Sequence, residues 1–112
     1  MKCLRMTHVN LRVENLAAAV QFYTEVMGLD SVPRLDRGGK GAWFQLGTTQ
    51  IHLAEDASPQ PRSKRHFAVE VENLADARRD AERHGAEIDQ EDTGRFWMRD
   101  PSGNRIEVVQ TP

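Results

Sequence analysis

The pentapeptide VENLA occurs at residues 13–17 and again at 71–75, 58 positions later. A chain that repeats itself over half its length is built from two copies of one supersecondary unit, and no other feature constrains its fold as strongly. The same offset carries His8 onto His66, so each copy places a histidine five residues before the repeated motif. Ile51-His52-Leu53 lies over Ile106-Glu107-Val108 at an offset of 55, and Trp43 lies over Trp97 at 54. The shrinking offset means that the second copy is a few residues shorter, lost in loops. The reading is one domain over 1–112, with module one at about 4–55, a linker at 56–64 and module two at about 65–111. The linker, DASPQPRSK, is rich in Pro and Ser and aperiodic, as a surface connection should be.

Each module predicts the same order of elements. Residues 7–13 alternate, with Val9, Leu11 and Val13 on one face and His8, Asn10 and Arg12 on the other, which is a strand buried on one side. Asn15 is a helix N-cap, and Leu16, Ala19, Val20, Tyr23, Val26 and Met27 then recur at helical spacing. Gly28 is suited to stop that helix in the left-handed conformation. Short strands follow near 30–35, 42–47 and 50–54. Module two repeats the plan, with a strand at 66–71, Asn73 as cap, a helix to about His84, Gly85 as stop, and strands near 87–91, 95–99 and 105–110. The turn DPSGN joins the last two strands. The fold class is therefore α+β: two paired βαβββ modules forming a cup-shaped mixed sheet with helices on the outer face. His84 closes a helix, where its cation complements the helix dipole, and carries no functional role.

Charge and hydropathy exclude several classes of partner. With 15 basic and 17 acidic residues the net charge is -2, against a nucleic-acid partner, which calls for a basic excess. No apolar run approaches the roughly 20 residues that span a membrane, and the first ten residues lack the apolar core of a signal peptide. The single cysteine, Cys3, fits a reducing compartment, so a cytoplasmic location is expected.

The repeat sets four metal-competent side chains at equivalent points. His8 and His66 start the first strand of each module, and His52 and Glu107 sit on the last. Each projects opposite to its aliphatic neighbours, so the four are expected to share the concave face of a sheet built from both modules. A lone strand histidine is more often packing or surface than ligand. Two at matched positions are less easily set aside, and His52 and Glu107, matched in place but different in type, less still. Imidazole and carboxylate together suit one divalent ion, with Zn, Ni, Mn, Fe and Co all compatible.

The segments THVNLRV, FYTEVMGL, GTTQIHLAE, RHFAVEV and FWMRDPSGNRIEVVQ, spread over nearly the whole chain, resemble the vicinal oxygen chelate superfamily, also called the glyoxalase/bleomycin resistance/dioxygenase group. The resemblance implies paired βαβββ modules forming a cup around a metal that activates vicinal substrate oxygens. The family's four metal positions fall on His8, His52, His66 and Glu107. Glyoxalase I usually has a glutamate where this chain has His52. Arg12 matches its glutathione-binding arginine, but Asp56 replaces an asparagine and would repel a glutathione carboxylate. Fosfomycin-modifying relatives carry a potassium loop and a basic cluster near the last strands, and neither is read here. Bleomycin-binding relatives have generally lost the metal ligands.

The resemblance implies a metal-dependent lyase or isomerase of glyoxalase type, moving a proton next to a carbonyl through an enediolate, with Glu107 as catalytic base. Arg12 and Asn10 are expected to bind an anionic substrate group. Trp43 and Gln45 share the face of His52, and Phe96 and Met98 are expected to line the opposite wall. An extradiol-type Fe(II) dioxygenase, using His8, His66 and Glu107, and a non-catalytic small-molecule binding protein are the alternatives. So short a chain, with exposed sheet edges, is expected to form a homodimer. The cup then closes within one chain or between the first module of one and the second of another.

Overall fold

In a computed structural model, which describes residues 1–35, 38–58 and 60–111, the two modules appear as eight strands and two helices. Module one runs β1 (His8–Val13), α1 (Leu16–Gln21), a π-helical turn (Phe22–Val26), β2 (Asp30–Val32), β3 (Gly41–Leu46) and β4 (Thr49–Glu55). Module two runs β5 (His66–Glu70), α2 (Leu74–Arg83), β6 (Glu87–Asp92), β7 (Arg95–Arg99) and β8 (Arg105–Val109). Each module closes its own four-stranded mixed sheet, in the orders β1-β4-β3-β2 and β5-β8-β7-β6. The first and last strands of each module run parallel, and the hairpins between them are antiparallel.

Local chemistry accounts for both helices. Asn15 Oδ1 accepts from the Ala18 amide at 3.0 Å, and Asn73 Oδ1 accepts from the Asp76 amide at 2.9 Å. A second cap recurs with the repeat: Glu55 Oε2 takes the Leu16 amide and Gln110 Oε1 the Leu74 amide, at 2.9 and 2.6 Å. Gly28 and Gly85 end the helical stretches at φ 66° and 72°, where a Cβ would be strained. The sequence reads one continuous first helix, whereas after Gln21 it widens into the π-helical turn. That turn buries Phe22 and Tyr23 together.

The strands' two-residue period divides each sheet into an apolar and a polar face. Val13, Phe44, Ile51 and Leu53 in module one, and Phe96, Met98, Ile106 and Val108 in module two, are buried in one common core with Ala19, Phe22, Tyr23 and Ala81. Each such large apolar side chain stabilises the fold by about 1.5–3 kcal/mol. The modules are joined by a polar knot at one end of that core. Tyr23, fully buried, donates to Asp100 Oδ2 at 2.8 Å. Asp100 Oδ1 also accepts from the amides of Ser102 and Asn104, which shapes the 100–104 turn. The turn then grips module one: Ser102 Oγ accepts from the Glu14 amide and Asn104 Nδ2 donates to the Arg12 carbonyl, each at 2.9 Å. Burial, reinforced by the neighbouring Asp100 charge, holds the Tyr23 hydroxyl well above its ordinary pKa, so it remains a donor.

Tyr23→Phe removes an inter-module donor to the buried Asp100 carboxylate. We expect a loss of about 1–3 kcal/mol in urea denaturation. An unchanged midpoint would mean that the knot does not hold the modules together.

Candidate functional site

Strand register builds the polar face of module one. Asn10, His52 and Trp43 are cross-strand neighbours, and one step away stand His8, Gln50 and Gln45. The His52 ring lies between two others, 4.1 Å from His8 with 16° between planes and 4.0 Å from Trp43 with 3°. A hydrogen-bond relay fixes its tautomer. Gln45 Nε2 donates to the Gly47 carbonyl at 2.8 Å, so Gln45 Oε1 faces and accepts from Gln50 Nε2 at 3.1 Å. Gln50 Oε1 therefore accepts, at 2.8 Å, from a proton on His52 Nε2. Any metal bond from His52 runs through Nδ1. A metal ion lies in the plane of an imidazole it binds, and two rings stacked this closely share no such point. His8 and His52 can hold one ion together only if one ring turns out of the stack.

The polar face of module two carries His66 and Arg105 as neighbours, then Glu107 beside Trp97, and Arg99 beside Arg105. His66 Nδ1 lies 2.8 Å from the Lys64 carbonyl, which can only accept, so Nδ1 bears the proton. His66 Nε2 then turns its lone pair toward Glu107 Oε1 at 3.1 Å. Two acceptors at that distance repel unless a cation or an extra proton lies between them. Adjacent donors on one divalent ion with bonds of about 2.0–2.2 Å stand about 3 Å apart. The pair therefore fits a metal, and the Lys64 carbonyl supplies the outer contact that commonly orients a ligating histidine. Trp97 Nε1, buried on this face, has no hydrogen-bond partner among the described residues.

The two pairs do not meet within one chain. Among the described residues no group of three or more His, Cys, Asp or Glu side chains converges on a point. The cause lies in β1, the edge strand of its sheet. Val9 and Leu11 line the cavity that holds His66, whereas His8 and Asn10 line a separate cavity with His52, Trp43 and Arg34. Within one chain the four expected ligands therefore lie as two half-sites, one on each module.

Other expected residues are redistributed as well. Asn10 and Trp43 line the module-one cavity, and Gln45 acts through the relay. Arg12 is drawn to the linker, with its guanidinium 3.4 Å from Asp56 and donating to the Ser58 carbonyl at 3.0 Å. Phe96 and Met98 are not wall residues. They pair with Val108 and Ile106 and are buried in the core, at 2% and 3% exposure. Trp97 and the flanking Arg95 and Arg99 take the polar face instead. Arg95, Arg99 and Arg105 form a basic group near the last strands that linear reading missed. Arg95 pairs with Glu107 Oε2 at 3.2 Å, and Arg105 lies over the Trp97 ring. Arg99 and Arg105, almost fully buried, converge on Asp89 Oδ2 at 2.9 and 2.7 Å. A register shift between Ile88 and Gln90 accompanies that placement of Asp89, and no sequence period announces it.

The Arg105 hydrogen bond, aided by the charges of both arginines, holds the Asp89 carboxyl below its ordinary pKa. A depressed carboxylate stabilises the fold above the unfolded-state pKa. That contribution is lost as the pH falls through the lower, folded value. Asp89→Asn leaves two buried guanidiniums short of a counter-charge, and we expect a loss of about 1–3 kcal/mol at neutral pH. Denaturation followed from neutral pH to below the carboxylate range should show the wild type losing stability there and the variant responding less. Equal stability at neutral pH would contradict the role given to Asp89.

The Glyoxalase/Bleomycin resistance protein/Dioxygenase superfamily model matches residues 5–108, and the chain belongs to that family. Its fold is that of the vicinal oxygen chelate group. A glyoxalase family protein from Bacillus anthracis is 24% identical over 100% of this chain and 98% of its own, with a TM-score of 0.85. A mutant of the fosfomycin resistance protein FosX from Listeria monocytogenes, complexed with Mn(II) and 1S,2S-dihydroxypropylphosphonic acid, is 16% identical over 99% and 95%, with a TM-score of 0.86. An integron cassette protein from the mobile metagenome of V. cholerae is 24% identical over 100% and 98%, with a TM-score of 0.76. Among the described residues, no helix is long and apolar enough to cross a membrane.

Proposed function

We propose that the chain is a metal-dependent small-molecule enzyme of glyoxalase type, a lyase or isomerase acting next to a carbonyl. Its site is assembled from two chains of a homodimer. His66 and Glu107 of one chain and His8 of the other hold one divalent ion, and His52 is the fourth metal position. The carrying observation is the His66 Nε2 to Glu107 Oε1 approach of 3.1 Å, with His66 Nδ1 committed to the Lys64 carbonyl. The whole chain acts as one domain, its modules and linker divided as the repeat indicates. Unpaired β1 and β5 edges support the dimer, since each carries partly exposed apolar residues, Val9 and Leu11 on one and Phe67 and Val69 on the other.

When bound, the ion would polarise paired substrate oxygens as a Lewis acid. The chain's own residues supply the rest. Arg95 holds Glu107 Oε2 and so fixes the carboxylate while Oε1 stays directed at His66. That carboxylate would act as the general base, taking a proton from the carbon beside a substrate carbonyl and returning it to the neighbouring one. Trp43 and Asn10 form the wall and floor against which the substrate lies. The relatives support the metal, in that FosX was solved with Mn(II).

Protein purified without chelator should contain about one divalent ion per chain. His66→Ala and Glu107→Ala should each lose it, with affinity down about tenfold or more. No metal in the wild type, and none taken up on reconstitution, would contradict the enzymatic reading and leave a small-molecule binding protein.

A further inference from the structure

The cavity of module one contains a cation that the family comparison does not assign. Its described lining residues are His8, Asn10, Arg34, Trp43, His52, Leu53 and Ala54, none of them a carboxylate, around a volume near 480 Å³. Arg34 is half-buried and follows β2. Its guanidinium donates to the carbonyls of Gly38 and Gly39, at 3.0 and 3.3 Å, and no described carboxylate pairs with it. Four other arginines near the half-sites differ in this respect. Arg12 is matched by Asp56, Arg95 by Glu107, and Arg99 and Arg105 share Asp89.

The sheet beneath Arg34 is shaped to admit it. Gly41 and Ala54 are cross-strand partners, so the floor there is formed by the two smallest side chains of the face. A Cβ on Gly41 would stand 2.7 Å from Arg34 Nε and would also meet the Leu53 carbonyl oxygen. Glycine at 41 is therefore what lets the arginine lie over the strand, beside the His8–His52–Trp43 stack. Two backbone carbonyls hold a guanidinium in place without cancelling its charge. They leave its remaining donors to a planar or tetrahedral oxyanion.

We propose that Arg34 is a specificity-determining residue that binds an anionic group of the substrate, a carboxylate or a phosphoryl or phosphonyl group. This rests on the reading of the site as a small-molecule enzyme's. The anionic group sits above the Gly41–Ala54 floor and leaves the reacting oxygens toward His8. Arg34 acts in binding and not in proton transfer.

The test is a titration of the purified protein with inorganic phosphate and, separately, with acetate, against a chloride control at equal ionic strength. It is followed by NMR through the ring resonances of Trp43, His8 and His52. Saturable shifts are expected with at least one anion, and the preferred one identifies the class. Arg34→Ala should weaken that binding about tenfold or more, and Arg34→Lys should recover part of it. The folded state of each variant is checked by its dispersed spectrum. Equal binding by wild type and Arg34→Ala, or no saturable shift with either anion, would overturn the proposal. The titration does not use the metal. Anion binding in a protein that takes up none would sustain Arg34 and reject the enzymatic reading, whereas metal uptake with no anion effect would do the reverse.

Discussion

The two-residue period of a β-strand is the constraint on which this molecule depends. In each module the first and last strands lie side by side in parallel, so their alternation is in phase. The large buried apolar residues fall on one side, and His8 and His52, or His66 and Glu107, fall on the other. A slip of one residue would bury the imidazoles and expose the core, and burial of the opposite face prevents it. The site is thus held by the same register that holds the fold.

How the modules are joined determines what those faces can do. The Tyr23–Asp100 contact and the 100–104 turn fasten module two to the end of β1, and a common core lies behind both sheets. In this arrangement β1 shows its apolar side to the His66 cavity and its polar side elsewhere. Each half-site keeps two candidate donors, too few for a divalent ion at a catalytic centre, which commonly takes three protein ligands. In the proposed dimer, a second chain offering its module one to the first chain's module two would supply the missing imidazole. It would also cover the edges β1 and β5.

Much of the architecture was legible because it is local or periodic. The VENLA repeat marked the modules, Asn15 and Asn73 marked helix starts, and strand alternation placed His8, His66 and Glu107 on polar faces. What escaped depends on contacts far apart in the chain. The face taken by β7 follows from how Asp100 ties the turn, which put Trp97 on the polar side and sent Phe96 and Met98 into the core. Asp89 reaches two arginines only through a register shift in β6. The widening of the first helix at Phe22 has no signature in residue spacing. Separation of the four expected ligands into two pairs was invisible as well, since a repeat shows which positions correspond but not which way the copies face.

Mixing two variants that each lack one metal ligand shows whether one site needs two chains. His8→Ala and Glu107→Ala are purified separately, each without metal, then combined under conditions that exchange subunits. If the site spans two chains, each mixed dimer contains one site carrying both lesions and one carrying neither. Metal binding should then return to about a quarter of the wild-type level for random exchange in a two-fold dimer. If the site closes within one chain, every site in the mixture keeps one lesion. No recovery despite demonstrated exchange would contradict the account.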